Sequence, residues 1–130
     1  MTKKLPRLAV LDDEVRMRKA LRRLLQSHGF QVEIFAVGED LLAAMETEEL
    51  DCLLLDLHMP GINGFDVLKA LDAQDINLPV IVITGHDEPQ NAARVRALGA
   101  SAYLTKPLDA SCLLAAITQA TAPNGFSPGD

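Results

Sequence analysis

The run Leu53-Leu54-Leu55-Asp56 restricts more than any other stretch how this chain can fold. It is apolar without interruption up to a single carboxylate, and Pro60, Gly61, Asn63 and Gly64 then turn the chain within a few residues. A strand without polar alternation must be covered on both faces, as in a parallel sheet packed between helices. Asp56 then stands at the mouth of that strand. In open α/β sheets this carboxyl edge is where ligands bind.

Other segments repeat the pattern. Leu8-Ala9-Val10-Leu11 ends at Asp12-Asp13-Glu14, and Val80-Ile81-Val82-Ile83, β-branched throughout, ends at Thr84. Phe30 to Phe35 alternates and reads as a more exposed strand, while a short fifth strand around Tyr103-Leu104 runs into Thr105-Lys106-Pro107. Helical periodicity fills the intervals. The first helix starts at Val15 with Met17, Ala20, Leu21, Leu24, Leu25 and His28 as its apolar stripe, and Gly29 as a stop. Further helices are expected from about Gly38 to Glu48, from Phe65 to Leu71, around Pro89 to Leu98, and from about Asp109 to Ala120. Five strands alternating with five helices imply right-handed parallel crossovers, with helices on both faces. Pattern alone does not give the strand order.

A chain of 130 residues, 48% hydrophobic and with a mean hydropathy of +0.13, suits one globular domain, expected over residues 1–120. Residues 121–130, rich in Pro, Gly and Ser, read as a flexible tail or the start of a linker. No apolar run approaches the ~18 residues of a membrane span, and no signal-peptide core follows the first residues. A soluble cytoplasmic protein without a membrane partner is expected. The formal charge of -6 argues against nucleic-acid binding by this domain itself. Cys52 and Cys112 lie far apart in predicted apolar elements and read as plain buried thiols.

The chemistry lies in what the strand ends bring together. All carboxyl ends of a parallel sheet share one edge, so Asp12, Asp13, Asp56, Thr84 and Lys106 can converge although they are scattered in sequence. Three adjacent carboxylates repel one another, and a hard divalent cation, Mg²⁺ above all, relieves that repulsion while leaving room for a phosphate. With a lysine and a hydroxyl nearby, such a site suits phosphoryl transfer to a carboxylate nucleophile, Asp56. Each residue alone has a plainer reading. Asp12 and Asp13 can cap a helix, Thr84 can bond to backbone, and Lys106 can be a solvated surface side chain.

From about Leu8 to Ala120 the chain resembles the receiver domain of bacterial two-component response regulators, the CheY-like superfamily. The resemblance rests on Val10-Leu11-Asp12-Asp13-Glu14, Leu54-Leu55-Asp56-Leu57-His58-Met59-Pro60-Gly61, Asn63-Gly64, Ile83-Thr84-Gly85, Gly99-Ala100 and Tyr103-Leu104-Thr105-Lys106-Pro107, in family order and spacing. It implies a flavodoxin-like three-layer sandwich with strand order 2-1-3-4-5, the order the doubly wound receivers share. It makes Asp56 the residue converted to 4-aspartylphosphate by a sensor histidine kinase or phosphotransfer protein. Asp13, Asp56 and the backbone carbonyl of His58 would hold Mg²⁺, with Asp12 acting through water and Mn²⁺ able to substitute. Lys106 would pair with the phosphoryl group, Thr84 would move toward it, and Pro107 would follow a cis bond.

The resemblance further implies that Tyr103 is a rotameric switch that reshapes the face of the fourth helix, fifth strand and fifth helix. That face, or the first and fifth helices, would serve a homodimer, and the output would be a partner or domain acting in transcription. The only reactions implied are the domain's own Mg²⁺-dependent phosphorylation and dephosphorylation. His58 and His86, two residues after Asp56 and Thr84, occupy positions that would tune phosphoryl lifetime. As single residues, Tyr103 reads as a half-buried strand aromatic and the histidines as solvated loop side chains. Arg16, Arg18, Lys19, Arg22 and Arg23 form a basic face that is either solvated or a docking surface for the phosphodonor. Two other classes stay open: an aspartate-nucleophile phosphohydrolase, and a receiver-like scaffold that works without phosphorylation.

Overall fold

Five strands, β1 (Arg7–Leu11), β2 (Gln31–Phe35), β3 (Cys52–Asp56), β4 (Val80–Thr84) and β5 (Ala102–Thr105), form one sheet in the order β2-β1-β3-β4-β5. Every adjacent pair is parallel. They alternate with α1 (Val15–Ser27), α2 (Gly38–Ala44), α3 (Gly64–Ala73), α4 (Asn91–Ala97) and α5 (Ala110–Ala120). The computed structural model describes residues 6–59 and 61–122. Pro60, and residues 123–130 on which the tail expectation falls, lie outside the described residues.

The lack of polar alternation in the central strands follows from their two covered faces. Ala9 and Leu11, Leu53 and Leu55, and Val80 and Val82 pack with Leu41 of α2, Leu68 of α3 and Val95 of α4. Their neighbours Leu8 and Val10, Cys52 and Leu54, and Ile81 and Ile83 pack on the other side with Leu21 and Leu25 of α1 and Leu113 and Ile117 of α5. Successive strand residues thus feed opposite layers, and both must be apolar. Each such Leu or Ile contributes about 1.5–3 kcal/mol by leaving water. The edge strands β2 and β5 are only partly buried, which matches the alternating sequence of β2.

At the amino edge of the sheet, Arg7 of β1 pairs with Glu33 at 2.8 Å and Glu48 at 2.9 Å, and its backbone N–H donates to Asp51. Glu33 is raised in pKa, chiefly by burial and then by its hydrogen bond to Glu48. This network ties β1, β2 and the approach to β3 at the end remote from Asp56.

Several expectations need correction. Cys112 is exposed, not buried. The buried positions of α5 are Leu113 and Ile117, four residues apart, and a residue one position before Leu113 is rotated off that face. The α1 stripe is narrower than expected, with Leu21 and Leu25 buried, Met17 and Leu24 partly so, and Ala20 and His28 exposed. Helix α2 stops at Ala44, because the chain then tightens into turns in which Glu46 and Thr47 donate to Ala43 and Ala44 carbonyls. Helix α4 begins only at Asn91, after a turn through Pro89 and Gln90.

Candidate functional site

Asp56 is the last residue of β3 and is 5% exposed, and Asp12, directly after β1, is 2% exposed. Because β1 and β3 are neighbours, their carboxyl ends place Asp12, Asp13 and Asp56 together, with one ligand atom of each within 4.8 Å of the others. Among the described residues this is the group of three or more carboxylates, histidines and thiols able to hold a metal ion. Asp13 is exposed at its rim. The capping alternative for the two aspartates is not what forms. The N-cap of α1 is Glu14, without a side-chain cap bond, while Asp12 Oδ1 accepts from the Glu14 N–H at 2.9 Å.

Lys106 follows β5 and reaches across the sheet edge. Its Nζ lies 3.2 Å from Asp12 Oδ2, 3.9 Å from Glu14 Oε1 and 4.0 Å from Asp56 Oδ1. The Lys106–Pro107 peptide is cis, as the resemblance implied. Three carboxylates against one ammonium leave negative charge in excess, and the Asp56 carboxyl is pushed up to about 7. Burial is the largest cause and the charge of Asp12 the next, with Lys106 and the His58 N–H pulling the other way. An all-oxygen donor set with unbalanced charge fits a hard divalent cation such as Mg²⁺.

Thr84 ends β4 and is fully buried, yet its hydroxyl turns to its own loop. It donates to the His86 carbonyl at 3.1 Å and accepts from the His86 N–H at 3.0 Å. His58 donates its backbone N–H to Asp56 Oδ1 at 3.3 Å, and its exposed ring stands beside that of His86, with centres 5.4 Å apart. Tyr103 is not part of the acidic pocket. Half-buried in β5, it donates its hydroxyl to Asp87 Oδ1 at 2.9 Å.

The turn after Asp56 is pressed tightly against the strand. A Cβ on Gly64 would sit 2.7 Å from the Asp56 carbonyl oxygen and 2.7 Å from Leu57 Cα, so only glycine fits there. Asn63 and Asp66 close a capping box at the start of α3. That box is legible in the sequence as Asn63-Gly64-Phe65-Asp66, although the segment reads first as a plain turn. Residues that sequence reasoning missed include buried Asn91, whose Nδ2 donates to the His86 carbonyl at 3.3 Å, and Arg18, whose guanidinium donates to the Asp12 carbonyl at 2.7 Å. Asn91 carries no local signal. Arg18 hides within the basic periodicity of α1.

Two clefts, of about 330 and 380 Å³, share Ile76, Asn77 and Leu78 in their linings, and neither includes any of these pocket residues.

An acidic pocket faced by one lysine, at the carboxyl edge of a 2-1-3-4-5 parallel sheet, defines a CheY-like α/β domain. The family model described as the response regulator receiver domain matches residues 8–118, and the chain belongs to that family. It is 36% identical over 111 residues to the transcriptional regulatory protein FixJ of Bradyrhizobium diazoefficiens, a match that covers 85% of this chain and 54% of FixJ. It is equally 36% identical to protein PilH of Pseudomonas aeruginosa, covering 85% of this chain and 93% of PilH. The crystal structure of FixJ-N superposes with a TM-score of 0.85 at 32% identity, covering 95% of this chain and 97% of that one. The chain thus spans about half the length of FixJ and nearly the whole of PilH.

Proposed function

We propose that Asp56 is the phosphoacceptor of a two-component phosphorelay. The observation that carries this reading is a buried carboxylate at a strand mouth, flanked by Asp12 and Asp13 and approached by Lys106 Nζ at 4.0 Å. An Asp56 oxygen attacks the phosphorus of a phosphohistidine on a sensor histidine kinase or phosphotransfer protein. The new O–P bond forms as the N–P bond breaks, and the imidazole leaves with a proton from solvent. Water later cleaves the acyl phosphate and restores the carboxylate.

Asp13, Asp56 and the His58 carbonyl would hold Mg²⁺, or Mn²⁺ in its place, with Asp12 acting through water, and such an ion would supply positive charge to the phosphoryl oxygens. Lys106 leaves Asp12 for a phosphoryl oxygen, and Thr84 gives up its bonds to His86 to donate to another. The loop then frees Tyr103, and the surface of α4, β5 and α5 changes for an output partner or domain. His58 and His86, at the mouth of the pocket, set how easily water reaches the acyl phosphate. Self-association would use the α4-β5-α5 or the α1-α5 face.

The likeness to FixJ, a transcriptional regulatory protein, supports a transcriptional output. The receiver is taken to span residues 1–120. Among the described residues no helix is long and apolar enough to cross a membrane.

The test is incubation with Mg²⁺ and a small-molecule phosphodonor, followed by intact-mass measurement. The expected result is a gain of one phosphoryl group, abolished in Asp56→Asn and by chelation of Mg²⁺. An unchanged mass, or labelling that survives Asp56→Asn, would defeat the reading.

A further inference from the structure

Two imidazoles meet at the mouth of the pocket on different loops, and no burial forces them together. His58 and His86 are both exposed, yet their ring centres are 5.4 Å apart with the planes at 76°. The cause lies in the backbone beneath them. The His58 N–H donates to Asp56 Oδ1, the His86 N–H donates to Thr84 Oγ1, and the His86 carbonyl accepts from both the Thr84 hydroxyl and Asn91 Nδ2. Asp56, Thr84 and Asn91 are all buried, and Asp56 and Thr84 end adjacent paired strands. The backbone beneath both histidines is therefore held in place by the fold.

The spacing suits a shared ion. With Zn–N bonds of about 2.0–2.1 Å, each ring centre sits roughly 3.2 Å from the metal, and two rings on a tetrahedral ion have centres roughly 5.2 Å apart. The observed 5.4 Å lies within reach of that arrangement. The donor chemistry also differs from that of the neighbouring aspartates. Imidazole nitrogen suits borderline cations such as Zn²⁺, whereas an all-carboxylate set suits Mg²⁺.

We propose that His58 and His86 form a two-imidazole site for Zn²⁺, completed by water and distinct from the three-aspartate pocket. An ion there ties the loop after β3 to the loop after β4. It would hold closed the approach to Asp56 and restrain the backbone to which Thr84 is bonded. The site stands whether or not Asp56 accepts a phosphoryl group.

The test is calorimetric titration of Zn²⁺ into the whole chain in a large excess of Mg²⁺, which occupies the aspartates. A Cys112→Ser background removes the exposed thiol, and a pH of about 7.5 limits competition of protons with the metal. One Zn²⁺ per chain is expected. Affinity should fall at least roughly tenfold in His58→Ala and in His86→Ala separately, and no further in the double variant, since even the loss of a supporting partner costs that order. The NMR signals of both rings should shift together as one equivalent is added, with thermal melts showing that the variants remain folded. Unchanged affinity in either single variant overturns the site. So does Zn²⁺ binding that survives both histidine substitutions and is lost in Asp13→Asn.

Discussion

The Tyr103 hydroxyl and the Asp87 carboxylate form a 2.9 Å hydrogen bond that ties β5 to the loop after β4. The residue just before Asp87 is His86, whose backbone holds the Thr84 hydroxyl through two further bonds. Thr84 and Tyr103 are thus fastened to adjacent residues of one loop. A displacement of Thr84 toward Asp56 strains the same segment that anchors Tyr103.

Asp87→Ala should release Tyr103. A hydrogen bond of this kind contributes about 0.5–1.5 kcal/mol, and an exposed partner puts it at the low end, so the balance between tyrosine positions should shift roughly two- to threefold. The chain has one tyrosine and no tryptophan, which makes intrinsic emission a specific reporter. Emission of the unphosphorylated variant is expected to move toward that of phosphorylated wild type, and unchanged emission would refute the coupling.

Asp56 also predicts a pH dependence of stability. Its carboxyl is raised to about 7 in the fold, whereas an unfolded aspartate titrates near 3.9, so folding disfavours the ionised form. The resulting penalty is absent below about pH 4, grows as the pH rises, and is complete above about pH 7. Asp56→Asn should therefore stabilise the Mg²⁺-free protein by a few kcal/mol at about pH 8 and hardly at all at about pH 4. Urea midpoints of both proteins at the two pH values measure this. Excess Mg²⁺ should narrow the difference by stabilising the wild type.

Gly64→Ala should damage both stability and the pocket. Its methyl would meet two backbone atoms at 2.7 Å, neither at the end of a flexible side chain. Overpacking of this kind costs about 1–3 kcal/mol, and relief requires moving the end of β3 that carries Asp56. A lower melting temperature together with weaker Mg²⁺ binding is expected. Loss of stability with unaltered Mg²⁺ affinity would show that the strand end does not move.

The basic face of α1 divides into two kinds of arginine. Arg16 is exposed, and Arg22, at intermediate exposure, makes none of the pocket's bonds, whereas Arg18 holds the Asp12 carbonyl at 2.7 Å. Charge reversal at Arg16 and Arg22 should slow transfer from a kinase and leave labelling by small phosphodonors intact. Arg18→Glu should slow both. Equal small-donor rates for all three variants would remove the structural role of Arg18.

Much of the architecture was legible because its rules are local. Leu53 to Leu55 and Val80 to Ile83 must be buried on both faces, since nothing polar alternates with them, and this alone implies a parallel sheet with covering helices. Cys112 shows where such reasoning fails. Its segment is apolar enough to look like core, but only Leu113 and Ile117 of α5 are buried, and the thiol faces water. The ends of α2 and α4 were likewise decided by turn hydrogen bonds that leave little trace in composition.

That carboxylates, a hydroxyl and a lysine stand at strand ends follows from the order of residues along the chain, because an apolar run must stop where the chain leaves the core. How those ends meet is a matter of three-dimensional packing. Lys106 lies 94 residues from Asp12 and 3.2 Å from it in space, a closeness set by strand order and register across the sheet. The same holds for the bond between Tyr103 and Asp87 and for the pairing of His58 with His86. Hydrophobic period is a property of neighbours along the chain, whereas these contacts arise where separate strands are brought side by side by hydrogen-bond ladders and packed helices.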